Sequence, residues 1–215
     1  MRKARFIPFL AAIAVASCAS VPDWANVSNW FGANDQAEAA AMMRTSFKAS
    51  GQAKLDRLDQ DEAQRICSDV AASKKPISTA AGRRLEEANL RLIKQPADGR
   101  YLGDWREGEK IAQSGVGKQF SDDPAVPAGA NCYACHQLTK SELSFGTIGP
   151  SLYNFGKIRG DTEPIVRYTW GKIYNAQAYS ACSTMPRFGH NGILTEQQMK
   201  HLVSLLLDPA SPVNR

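Results

Sequence analysis

Cys132-Tyr133-Ala134-Cys135-His136 places two thiols two residues apart, with an imidazole directly after the second. Each thiol can add to a vinyl group of a porphyrin, and the following histidine is then held beneath the metal. C-x-x-C-H is the pattern by which a c-type haem is attached covalently. A bare C-x-x-C would leave a thioredoxin-like redox pair or half of a zinc site open. The adjoining His136 narrows that choice. A zinc site needs further ligands at finger-like spacing, whereas His190 and His201 are distant and no second C-x-x-C exists. The run therefore predicts one covalent haem c, with Cys132 and Cys135 as attachment points and His136 as the proximal iron ligand.

The beginning of the chain reads as an export leader over residues 1–17. Arg2, Lys3 and Arg5 are followed by an apolar run, Phe6 to Ala16, too short to span a bilayer, and then by small residues. Two processing readings compete. Ala14-Val15-Ala16 suits an A-x-A cut, while Val15-Ala16-Ser17-Cys18 resembles a bacterial lipobox and would place a lipid anchor on Cys18. Either way the expected location is the periplasm, where thioether attachment of haem takes place.

Five cysteines are present. With Cys132 and Cys135 assigned to haem and Cys18 to the leader junction, Cys67 and Cys182 remain. In an oxidising compartment they are candidates for a disulfide; the alternative is two inert buried thiols. Charge excludes one class of partner. The formal net charge is +5, but three of the 26 Lys and Arg lie in the leader, leaving 23 against 21 Asp and Glu, a net of +2. Nucleic-acid binding by bulk charge is not supported, and Lys74-Lys75 and Arg83-Arg84 read as solvated helix surface.

Residues 18–34 look like a tether, and 35–99 like a helical extension. Gln36 to Ala49 is alanine-rich. Asp59, with Glu62 three positions on, has the form of an N-cap, and Ala63, Ile66, Cys67 and Val70 follow at helical spacing. Pro76 ends that helix. Ser78 or Thr79 can cap the next, in which Leu85, Ala88 and Leu92 form a stripe and Arg83 can pair with Glu87. Pro96-Ala97-Asp98-Gly99 punctuates the chain, and the domain boundary is placed there.

Residues 100–215 have the order of a small haem domain: a short helix within Gly103 to Gly117, the attachment motif, and then Gly149-Pro150. A proline carbonyl there could accept a hydrogen bond from the proximal imidazole, fixing the ring and raising its basicity. Met185, in the loop-like Thr184-Met185-Pro186, is the candidate sixth ligand, with His190 and the Cys182 thiolate as alternatives. Thioether ligation suits an electron carrier. Thr195 to Gln198 reads as a capping box opening a helix with Met199, Leu202, Val203 and Leu206 on one face, closing over the haem. His201 falls beside that stripe and is a poor ligand candidate.

NCYACHQ, GTIGPSLYNFGKIRG and IYNAQAYSACSTMPRFGHNGILTEQQM together resemble the SoxX family, monohaem subunits of the SoxXA cytochromes of bacterial sulfur oxidation. The likeness runs from near Gly103 to Pro209, about half the chain. It implies an all-α fold, a class I cytochrome c domain preceded here by a helical extension longer than in shorter family members. The family's roles carry over by position: Cys132 and Cys135 hold the haem, and His136 and Met185 ligate its iron. The implied partners are a SoxA-like haem subunit, a SoxYZ-like carrier whose cysteine receives thiosulfate, and a soluble cytochrome c as electron acceptor. The chain would be the non-catalytic electron-transfer subunit of an L-cysteine S-thiosulfotransferase, with no catalytic residue of its own.

Two other classes compete with this reading. One is an independent monohaem carrier of another respiratory pathway. The other is a haem enzyme such as a peroxidase, against which a single attachment motif and a sixth protein ligand both argue.

Overall fold

A computed structural model describes residues 33–215. The leader, Cys18 and nearly all of the tether lie outside the described residues. The protein is all-α: among the described residues there are seven α-helices and no strand, only an isolated bridge between Ser50 and Ala53. No helix among the described residues is long and apolar enough to cross a membrane.

The helices are α1 (Ala33–Ser46), α2 (Glu62–Ser73), α3 (Thr79–Arg91), α4 (Trp105–Gln113), α5 (Phe155–Arg159), α6 (Glu163–Tyr174) and α7 (Glu196–Leu207). Local chemistry sets most of their ends. Thr195 caps α7 reciprocally with Gln198, as the capping-box spacing predicts. Ser78, rather than Thr79, caps α3 by accepting from the Ala81 amide. The cap of α2 is a correction: it is Asp61, not Asp59, and Asp61 forms a full capping box with Gln64. A short 3-10 turn, Leu55–Leu58, occupies the preceding residues, so Asp59 closes that turn instead of opening the helix. At its other end α2 stops at Ser73, before Pro76 is reached, because Lys74 turns into the left-handed region at φ 54°.

In α3 the buried face is Gly82, Leu85 and Asn89; Leu92 is exposed. The Arg83–Glu87 pair is not formed among the described residues. Arg84 instead reaches across to Glu62 of α2 at 2.7 Å. Both side chains of that pair are more than half exposed, so its contribution is at most about 1 kcal/mol.

The main core lies where α4 and α7 cross and α6 packs beside them. Trp170, Leu138, Val203, Leu205 and Val213 are fully buried there. The crossing is close because α4 offers glycine. A Cβ on Gly108 would meet the carbonyl oxygen of His201, with its carbon at 2.8 Å and Leu205 Cβ at 3.0 Å. His201 also accepts the Asp104 amide on Nδ1 at 2.8 Å, so this histidine is a structural group at the helix crossing. Gly108→Ala is therefore expected to destabilise. The gain in helix propensity is about 1 kcal/mol, whereas the clash is with backbone that cannot rotate away, and overpacking costs ~1–3 kcal/mol. Thermal unfolding should show a lower Tm; an unchanged or raised Tm would contradict this packing.

A second, smaller core joins α2 and α3 to the later chain: Ala63, Leu85 and Ala181, with Ile66 and Ile77 at its edge. Cys67 and Cys182 form a disulfide, S–S 2.05 Å, beside it.

Candidate functional site

The attachment motif folds as a 3-10 turn, Cys132–Ala134, entered through Asn131 in the left-handed region at φ 46°. The Cys135 and His136 amides both donate to the Cys132 carbonyl, at 3.1 and 2.9 Å, which winds the two sulfurs and the imidazole towards one cavity. The chain then returns alongside, with Gly146 N bonded to Tyr133 O at 2.9 Å and Gly149 N to Cys135 O at 2.8 Å.

This return places Pro150 O 2.7 Å from His136 Nδ1. A carbonyl can only accept, so Nδ1 carries the proton and Nε2 keeps its lone pair for a metal. Gly149 lies against the same ring. A Cβ there would overlap Cε1 and Nδ1 and stand 2.7 Å from Nε2. The glycine is thus required by the imidazole, a role that its place in a turn did not reveal.

His136, Cys132, Cys135 and Met185 all line one cavity of about 720 Å³, within the usual range for cofactor sites. Its walls are mainly apolar, including Ile148, Leu152, Ile173, Phe188 and Leu206. The structure brings Met185 to this cavity and neither alternative ligand. Cys182 is committed to the disulfide, and His190 is not among the lining residues. α7 contributes Leu206 to this cavity and Leu202 and Leu205 to an adjoining recess shared with Met185 and His136, so it closes the site as expected.

Two cations also line the cavity, and sequence reasoning missed both. Arg159 ends α5, and Lys172 of α6 donates to Ala176 O at 3.3 Å. Neither has a carboxylate partner within ion-pair distance among the described residues. Burial pushes the Lys172 amine below its ordinary pKa, with the nearby Glu86 charge opposing. Their signal in the sequence was only basicity, indistinguishable from solvated surface.

The donor set fits a covalently held haem. Two unbridged thiols, an imidazole anchored at Nδ1 and a thioether share an apolar cavity that also presents cationic side chains suited to propionate carboxylates. Burial pushes the Cys132 thiol up to about 12, with the neighbouring Cys135 acting in the same direction, whereas redox-active thiols in C-x-x-C motifs are depressed. Among the described residues no group of three or more His, Cys, Asp or Glu side chains could hold a metal ion by itself.

The loop bearing Met185 contacts the helical extension on both sides. Arg187, only 8% exposed at its side chain, pairs with Asp61 at 2.5 Å. Burial works against the Asp61 charge, but the Gln64 amide and the Arg187 guanidinium outweigh it and hold the carboxyl below its ordinary range. His190 is shifted down by burial and by Arg187, with Asp61 opposing.

No family model matches the chain. A curated protein of Aquifex aeolicus (strain VF5), described as an uncharacterized lipoprotein, is 35% identical over 159 residues, which span 73% of each chain. That identity over that share of both lengths shows common descent, and the chain belongs to the family of this Aquifex lipoprotein.

Proposed function

We propose that this chain is an exported c-type cytochrome, residues 100–215 forming a class I cytochrome c domain, that serves as the electron-transfer subunit of a SoxXA-type complex. The observation that supports it best is the convergence of Cys132, Cys135, His136 and Met185 on a single apolar cavity, with His136 Nδ1 tied to Pro150 O. Bound there, a haem would supply a one-electron couple. Cys132 and Cys135 would hold it through thioethers. His136 Nε2 and the Met185 thioether would ligate its iron, and the apolar walls would exclude water. The chain would take single electrons from a SoxA-like haem subunit, where thiosulfate is coupled to a cysteine of a SoxYZ-like carrier, and pass them to a soluble cytochrome c. The lipobox at Cys18 and the description of the Aquifex relative as a lipoprotein support a lipid anchor on the periplasmic side.

Haem staining after denaturing electrophoresis should reveal one covalent haem per chain; a colourless mature chain would overturn the reading. The purified chain should exchange electrons yet fail to couple thiosulfate. Adding a SoxA-like partner and carrier should then produce thiosulfate-dependent reduction of this chain. Full turnover by the partner with no redox change here would reject the subunit assignment and leave an independent monohaem carrier.

A further inference from the structure

The Met185 loop has little hydrogen bonding of its own. Ser183 N donates to Ser180 O at 2.9 Å, and the Met185 amide reaches only Ser183 Oγ, at 3.3 Å. A segment so weakly bonded internally opens readily unless something outside holds it.

What holds it is the helical extension, at both ends of a seven-residue span. On the upstream side, Ala181 is buried against Ala63 and Leu85. Its amide donates to Glu86 Oε1 of α3 at 3.1 Å, and Cys182 is bonded to Cys67 of α2. On the downstream side, Arg187 is paired with Asp61 at the start of α2. Further back, Asn175 Nδ2 donates to Asn89 Oδ1 of α3 at 3.0 Å in a fully buried contact. These anchors come from residues that play no part in attachment, and none of them touches the motif side of the cavity.

We propose that the extension is a clamp whose task is to position Met185, with Cys67, Asp61 and Glu86 as positioning residues that hold the thioether against the cavity. This rests on the reading of Met185 as a haem ligand, but the clamp itself can be measured without it. The full chain is compared with the double variant Cys67→Ser, Cys182→Ser and with Asp61→Asn. The second is chosen because asparagine caps a helix as well as aspartate does, so α2 keeps its start while Arg187 loses its counter-charge.

Amide hydrogen exchange should accelerate about tenfold or more over residues 181–188 in each variant. In Asp61→Asn, exchange over residues 132–138 and in α7 should stay within about twofold of the parent; in the disulfide variant, where loss of the ring lowers global stability, acceleration over 181–188 should exceed theirs by about tenfold. In ferric holoprotein, imidazole, which competes with the sixth ligand, should bind about tenfold more tightly to each variant, by the same opening. Unchanged exchange over 181–188 would overturn the clamp. In Asp61→Asn, acceleration spread equally over 132–138 and α7 would also overturn it, by reducing the contacts to general stability. A chain without haem would defeat the ligand reading alone, since exchange still decides whether the loop is held by the extension.

Discussion

Met185→Ala is expected to leave the haem attached while removing the near-infrared charge-transfer band of iron–thioether ligation and lowering the reduction potential. On the proposed reading attachment rests on Cys132 and Cys135 and not on Met185, so denaturing haem stain should be unchanged. Axial ligands shift haem potentials across a span of about 0.8 V, and loss of the thioether should move this one by tenths of a volt. Protein stability should change less, because Met185 is only partly buried, lining the cavity at the edge of the main core. Absorption spectroscopy and potentiometric titration read the two effects separately. An unchanged spectrum would mean that the sixth ligand comes from elsewhere, although His190 does not line the cavity and Cys182 is bridged.

Gly149→Ala is expected to disable the other face. The added methyl overlaps the His136 ring, and the ring cannot swing aside without giving up its bond to Pro150 O. The neighbouring Gly149 N to Cys135 O bond ties the glycine to the motif itself, so the backbone cannot retreat freely either. Overpacking of ~1–3 kcal/mol at this contact corresponds to about a five- to 150-fold bias against the ligating geometry. The measurement is the ratio of Soret to protein absorbance in the exported chain, together with the ferric low-spin spectrum. Full haem incorporation with a normal low-spin spectrum would show that His136 can ligate from another orientation.

What the sequence made legible was mostly local. The capping box at Thr195, the Pro150 carbonyl opposite His136 and the grouping of the motif with Met185 each depend on short-range pattern or on a recognisable chemical signature. The pairing of Cys67 with Cys182 followed from accounting for thiols, not from any view of their distance. Errors arose where two local solutions competed. Asp59 and Asp61 are both good caps, and the 3-10 turn before them decided between them. Arg83 and Arg84 both had acidic partners in reach, and the approach of α2 to α3 decided for Arg84. Contacts between distant positions left no mark at all. Asp61 and Arg187 are 126 residues apart, and nothing in either neighbourhood announces the other. Gly149 is equally silent, because its reason is an imidazole that approaches from thirteen residues earlier.

Cys67–Cys182 closes a covalent ring spanning 115 residues, and the C-x-x-C thiols lie inside it. In the chain-entropy account a ring of about that size raises native stability by roughly 4.7 kcal/mol through its effect on the unfolded ensemble. The same arithmetic runs against the bridge during biogenesis. Four thiols permit three pairings, and encounter between Cys132 and Cys135 costs far less chain entropy than closure over 115 residues. Oxidation of the unfolded chain would therefore join the two thiols that the proposed haem attachment needs free. On the haem reading, maturation would have to keep Cys132 and Cys135 reduced until their vinyl partners arrive, while the wide ring would close only once α2 and the 181–187 loop have met. The order of covalent events, and not the final set of bonds alone, would thus be imposed on this chain by where these four of its five cysteines fall.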